Sequence, residues 1–150
     1  MDATALELEQ VINEYLLQLN AFPEEEASYK PVPARWSKKE IIGHLIDSAQ
    51  NNIRRFIAAQ YEENPKIVYN QDKWVELNHW QEFSLADLIN LWYLLNKQIC
   101  SILKNTDTEM AGSQVQTEAL HSIEWLAMDY IKHLKHHLNQ VLNLSPVAYP

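Results

Sequence analysis

The sequence predicts an all-α fold, a four-helix bundle, on three observations. Four segments carry apolar residues at helical period, strand-like alternation is almost absent, and only two glycines, Gly43 and Gly112, occur in 150 residues. A hydrophobic content of 47% is enough for a real core, and the length is that of one domain over residues 1–150. Four amphipathic helices of roughly 15 to 25 residues bury their stripes most simply against one another, and such bundles often build metal sites from side chains on facing helices.

The first helix is expected to open at the capping box Thr4-Ala5-Leu6-Glu7, with Leu8, Ile12, Tyr15, Leu16 and Leu19 carrying its apolar face toward Pro23. A second capping box, Ser37-Lys38-Lys39-Glu40, opens a helix that runs to about Tyr61 with Ile42, Leu45, Ala49, Ile53 and Phe56 inward. The connection from Glu62 to Phe83 is long for a compact domain. It holds Tyr69, Trp74, His79 and Trp80, a composition that suits either a wall over a pocket or a plug over the end of the bundle. The third helix starts at Ser84 with Asp87 in its first turn, and Leu88, Ile89, Trp92, Leu95 and Ile99 lead its apolar face to Leu103. The fourth is expected from about Thr117 to Asn143, before Pro146.

Composition narrows the function. With two glycines there is no Gly-rich phosphate loop of either the P-loop or the dinucleotide type. A net charge of −8 argues against nucleic acid as a partner, and the pair Arg54-Arg55 reads as a solvated face rather than a basic patch. No apolar run approaches the roughly 20 residues that span a bilayer, so no membrane partner is expected. The N-terminus lacks the basic and apolar regions of a signal peptide, and the lone Cys100 cannot form an internal disulfide; a cytoplasmic location is the expectation. Cys100 lies in an apolar helical pattern and reads as a small core residue rather than a nucleophile.

Metal chemistry is legible in one stretch, Lys132-His133-Leu134-Lys135-His136-His137-Leu138. Residues four apart on a helix stand only about 40° apart around its axis, so His133 and His137 can aim at one point. At about 100° per residue, Leu126, Ala127, Tyr130, Leu134, Leu138 and Val141 share one side. His137 lies within that arc, His133 at its edge, and His136 on the far side, in solvent. The spacing is short, and it is equally that of one core histidine beside two surface ones. A metal site needs a third ligand, for which His44, His79, His121 and nearby carboxylates are candidates. Periodicity turns His44 away from the apolar face of its helix, toward Asp47, Ser48, Asn51 and Arg55, which favours a surface position over a wet site at the bundle mouth.

The run Arg35-Trp36-Ser37-Lys38-Lys39-Glu40-Ile41-Ile42-Gly43-His44-Leu45-Ile46-Asp47-Ser48, continuing through Asn51 and Arg54-Arg55-Phe56, resembles the second-helix signature of the DinB-like superfamily. With Trp74-Val75-Glu76-Leu77 and the histidine stretch, the resemblance is to its YfiT branch, described as metal-dependent hydrolases and related to bacillithiol S-transferases. It runs from about Arg35 to Gln140. The resemblance implies a four-helix bundle that holds one divalent ion, zinc or nickel, through His44, His133 and His137, and it implies a homodimer. The HExxH metalloprotease pattern is absent, because Leu134, Lys135 and His136 stand between the histidines. The expected function is a metal-dependent S-transferase that conjugates a low-molecular-weight, bacillithiol-like thiol to an electrophilic small molecule. A metal-dependent hydrolase and a non-catalytic metal-binding bundle are the alternatives. No general base stands out, and Asp47 is expected to orient an imidazole.

Overall fold

The structure, a computed structural model, describes residues 1–150. Its helices are α1 (Asp2–Asn20), α2 (Glu24–Ser28), α3 (Lys38–Ala58), α4 (Gln71–Asn78), α5 (Leu85–Lys104) and α6 (Ile123–Val141), with a hairpin of β1 (Gln114–Gln116) and β2 (Leu120–Ser122). The four long helices form the expected bundle. Around its axis α5 packs between α1 and α3, α3 between α5 and α6, and α6 returns to α1. Helices α1 and α3 are therefore diagonal, as are α5 and α6, so residues 21–37 and 105–122 must cross the bundle ends. Leu8 and Ile12 of α1, Leu45 and Phe56 of α3, Trp92 and Ile99 of α5, and Leu134 and Leu138 of α6 are fully buried along this axis. Each such side chain contributes about 1.5–3 kcal/mol of burial.

Local signals hold at two helix starts. Ser37 accepts from the Glu40 amide (3.1 Å) while the Glu40 carboxylate accepts from the Ser37 amide (3.0 Å), a complete capping box. Ser84 accepts from the Asp87 amide (3.1 Å). Two other starts differ from expectation. Helix α1 begins at Asp2 without a side-chain cap, so Thr4 lies inside it. Helix α6 begins at Ile123, where Ser122 accepts from the Trp125 amide (3.1 Å), and not at Thr117. Residues 114–122 pair as an antiparallel hairpin, with Val115 opposite His121 and fully buried. Three-residue strands are too short for an alternation to show.

The connection from Glu62 to Phe83 is largely ordered structure. Asn70 caps α4 by accepting from the Lys73 amide (3.0 Å), and α4 ends at His79, which adopts a left-handed conformation (φ 53°). That reversal drives Trp80 onto α3 at Gly43, where an added Cβ would stand 2.1 Å from Trp80 Cδ1. Glycine is required there by the close approach. The connection meets the first of the two readings its composition allowed: Tyr69 forms a wall of a cleft, while Trp80, 4% exposed, is buried on the flank of α3 and not over the end of the bundle. No helix is long and apolar enough to cross a membrane. Cys100 is half-buried at the edge of the core, and burial pushes its thiol up to about 11, which leaves it a poor nucleophile.

Candidate metal centre

Helix α3 carries two buried faces, and the second of them makes the site. His44, Asp47, Ser48, Asn51 and Asn52 are buried, although the apolar stripe of the helix lies elsewhere. The surface position that periodicity favoured for His44 is corrected: its side chain is 1% exposed. The reason lies outside the helix, since Trp80 and the end of α4 cover one flank of this face and α6 covers the other. Arg55, read as solvated, is likewise half-buried. Burying polar groups is costly unless they are bonded, and α3 meets this locally. Asn51 donates to the Asp47 carbonyl and Asn52 to the Ser48 carbonyl, both at 2.9 Å.

The chain brings His44, His133 and His137 together, with one ring nitrogen of each within 4.8 Å of the others. Nε2 of His44 and Nε2 of His133 are 3.0 Å apart, and the ring of His137 is centred 4.8 Å from His44 and 4.6 Å from His133. Two nitrogens bound tetrahedrally to one zinc would stand ~3.3 Å apart for bonds of about 2.0–2.1 Å. His137 donates from Nδ1 to Gln140 Oε1 (2.8 Å), which leaves Nε2 with its lone pair free. Burial, aided by His137, pushes His44 down to about 4. Burial, aided by the other three histidines, pushes His133 down to about 2. His137 is lowered too, by burial first. All three are neutral near pH 7, the form a metal requires. Nδ1 of His44 is buried without a partner, beside the ring of Trp36 (5.0 Å between centroids). The donor set of three converging neutral imidazoles fits one divalent ion.

The other candidates separate from this trio. His79 is exposed beyond α4, and His121 stacks on Trp125 with ring centroids 3.7 Å apart and planes at 10°. His136 is not in solvent: its Nδ1 donates to the Val147 carbonyl (2.6 Å), because the segment after α6 folds back over it. Asp47 does not orient an imidazole. Its carboxylate accepts from Trp80 Nε1 (3.2 Å) and Asn78 Nδ2 (3.0 Å) and so latches the α4 region to α3, while burial pushes its pKa up to about 7.

His133 borders a cleft of about 480 Å³. Ser48, Asn52 and Arg55 of α3, Tyr130 of α6, Tyr69 and Tyr149 form much of its wall. The Tyr130 hydroxyl donates to Asn96 (2.7 Å) and that of Tyr149 to Asp129 (2.8 Å), which aligns both rings. Sequence reading named Ser48, Arg55, Tyr69 and Tyr130 separately without joining them to one cleft, and it missed Asn52 and Tyr149. Ser48 and Arg55 had a signal, since they stand four and eleven residues after His44 and share its helical face. Tyr69 had only the aromatic composition of its connection, and Tyr149 had none, being placed by the irregular segment after α6.

A model of the DinB superfamily matches residues 7–141. The chain belongs to this superfamily. Among curated relatives, one from Oceanobacillus iheyensis named "Putative metal-dependent hydrolase" is 31% identical over 115 residues, 73% of this chain and 64% of the relative. A Bacillus mycoides protein of the same name is 30% identical over 81 residues, 46% of this chain and 47% of the relative. The DinB-superfamily chain thus spans less than two thirds of the length of these relatives. Two solved structures share its fold. YfiT from Bacillus subtilis, described as having an unusual four-helix bundle topology, aligns with a TM-score of 0.68 at 18% identity over 94% of this chain and 89% of its own. A mycothiol-dependent maleylpyruvate isomerase aligns with a TM-score of 0.71 at 15% identity, over 99% of this chain and 62% of its own.

Proposed function

We propose that this DinB-superfamily protein is a metal-dependent S-transferase: His44, His133 and His137 hold one divalent ion, zinc or nickel, and a low-molecular-weight thiol is conjugated to an electrophilic small molecule. The observation that carries the reading is the convergence of three neutral imidazoles, with no carboxylate among them, at the edge of a polar cleft. An ion bound by neutral donors keeps its full double charge and lowers the pKa of a thiol brought to it. The chain's own part is to hold that cradle fixed and its imidazoles neutral. Gln140 sets the tautomer of His137, and burial keeps His44 and His133 unprotonated. No side chain at the cradle is placed as a general base. Asp47 is held by Trp80 and Asn78, and the Tyr130 and Tyr149 hydroxyls are donated away. Activation by ionising the nucleophile needs no such base. The thiol requirement of the isomerase that shares this fold is the reason to test a thiol here. Hydrolysis is the second reading, favoured by the names of the curated relatives. A homodimer in the cytoplasm, without nucleic-acid or membrane partners, completes the proposal.

The test is turnover of an aryl chloride by the zinc- or nickel-loaded chain, with and without L-cysteine as the thiol. In the transfer, a carbon–sulfur bond forms, chloride leaves, and the thiol proton goes to solvent. Product that requires both ion and thiol, and that disappears in His137→Ala, supports the transferase. Ester hydrolysis without thiol selects the hydrolase. No turnover of either kind by fully loaded protein leaves a non-catalytic bundle.

A further inference from the structure

The buried polar face of α3 runs on past the metal cradle. Arg55 stands eleven residues after His44, a rotation within about 20° of the same direction and ~16 Å along the helix axis. Ser48 lies on this stripe between them, and both Ser48 and Arg55 line the cleft that His133 borders.

Arg55 is half-buried, and no carboxylate lies within 4.0 Å of its guanidinium. Its bonds are to neutral oxygens: Nε and Nη2 donate to the Ile67 carbonyl (3.3 and 3.1 Å) and Nη1 to Asn52 Oδ1 (3.4 Å). A guanidinium has five donors, so two are left. The ring of Tyr69 holds it from one side, with the guanidinium carbon 5.7 Å from the ring centroid. No carboxylate of the cleft pairs with it directly: Asp129 acts on it only from beyond 4.0 Å and accepts the Tyr149 hydroxyl, and Glu118 is exposed. A half-buried cation held rigidly by neutral groups, with donors unused and an open cleft before it, matches the planar fork of a carboxylate.

We propose that Arg55 is the anion-recognition residue of the cleft, and that the ligand is an elongated molecule with a carboxylate at the Arg55 end and its reacting atom at the histidine cradle. The first half concerns Arg55 alone, and the second rests on the proposed metal centre.

The test uses the chelator-treated full chain, so that it does not depend on an ion. Succinate is compared with succinamide by NMR titration, reading the Arg55 Nε–Hε signal as well as backbone amides around the cleft. The expected result is that succinate binds at least tenfold more tightly than succinamide and shifts the Arg55 Nε–Hε signal. In Arg55→Gln the preference falls to about onefold, and in Arg55→Lys an intermediate preference remains. A wild type that does not distinguish the two probes overturns the proposal, as does an Arg55→Gln variant that keeps the preference. If Arg55→Gln does not fold by circular dichroism, the wild-type Nε–Hε shift decides: a signal unmoved by saturating succinate means Arg55 only ties residue 67 to α3. Elemental analysis of the untreated protein is run separately, so failure to take up an ion bears on the metal centre and not on Arg55.

Discussion

His133 faces two environments at once: its Nε2 meets His44 across the α3–α6 interface, and its ring borders the cleft under Tyr149, 5.2 Å away. Replacing either of the two histidines that converge with it, His44 or His137, should empty the centre. His44→Ala and His137→Ala are each expected to reduce bound zinc or nickel from near one per chain to below about a tenth, measured by elemental analysis of protein purified without a metal-binding tag. Acidity should act through the same rings. The unfolded imidazole titrates at about 6.5, whereas His44 and His133 in the fold titrate at about 4 and about 2. As pH falls below about 6.5 the unfolded chain takes up protons first, so the ion-free fold loses stability, down to about 4 on account of His44 and down to about 2 on account of His133. The stability advantage of ion-free wild type over His133→Ala should therefore shrink between pH 7.5 and 5, as read from urea midpoints. An advantage that grows with acid would contradict these values.

At the scale of elements, α3 does most of the positioning. It supplies His44, the Gly43 seat for Trp80, the Asp47 latch and the cleft residues Ser48, Asn52 and Arg55. Gly43→Ala should destabilise the fold by about 1–3 kcal/mol, because Trp80 cannot recede without leaving Asp47. A lowered urea midpoint with red-shifted tryptophan emission would report it. The helices themselves were legible, since Ile42, Leu45 and Phe56 on α3 and Leu134 and Leu138 on α6 repeat at the period of burial. The pair His133 and His137 was legible for the same reason. His44 was not legible from periodicity, because its burial is imposed by residues 62–83 and by α6, whose packing no single-helix pattern contains. It could be placed only by the resemblance of its Gly-His-Leu-x-Asp-Ser setting. The hairpin at 114–122 escaped because three residues are too few to display an alternation.

Over the whole molecule, the three histidines join α3 to α6, two long helices separated in sequence by the whole of α5 and the hairpin. An ion bound only by the folded chain adds stability by mass action, about 2.7 kcal/mol at a free concentration of 100 times its Kd. Excess zinc or nickel should therefore raise the thermal midpoint of wild type by several degrees and leave that of His137→Ala unmoved. An equal rise in both would place the ion elsewhere. The cleft is walled on several sides by what lies between and after the helices: Val68, Tyr69 and Gln71, then Thr117, Glu118 and His121, and Tyr149. Ion cradle and ligand wall thus share α3 and α6, and only the wall also draws on these connections. Grafting a different hairpin or a different 68–71 segment onto the same four helices would change what those sides of the cleft admit while Arg55 and the three imidazoles keep their places, which makes the connections the part of this bundle where selectivity can be redirected around a fixed anchor.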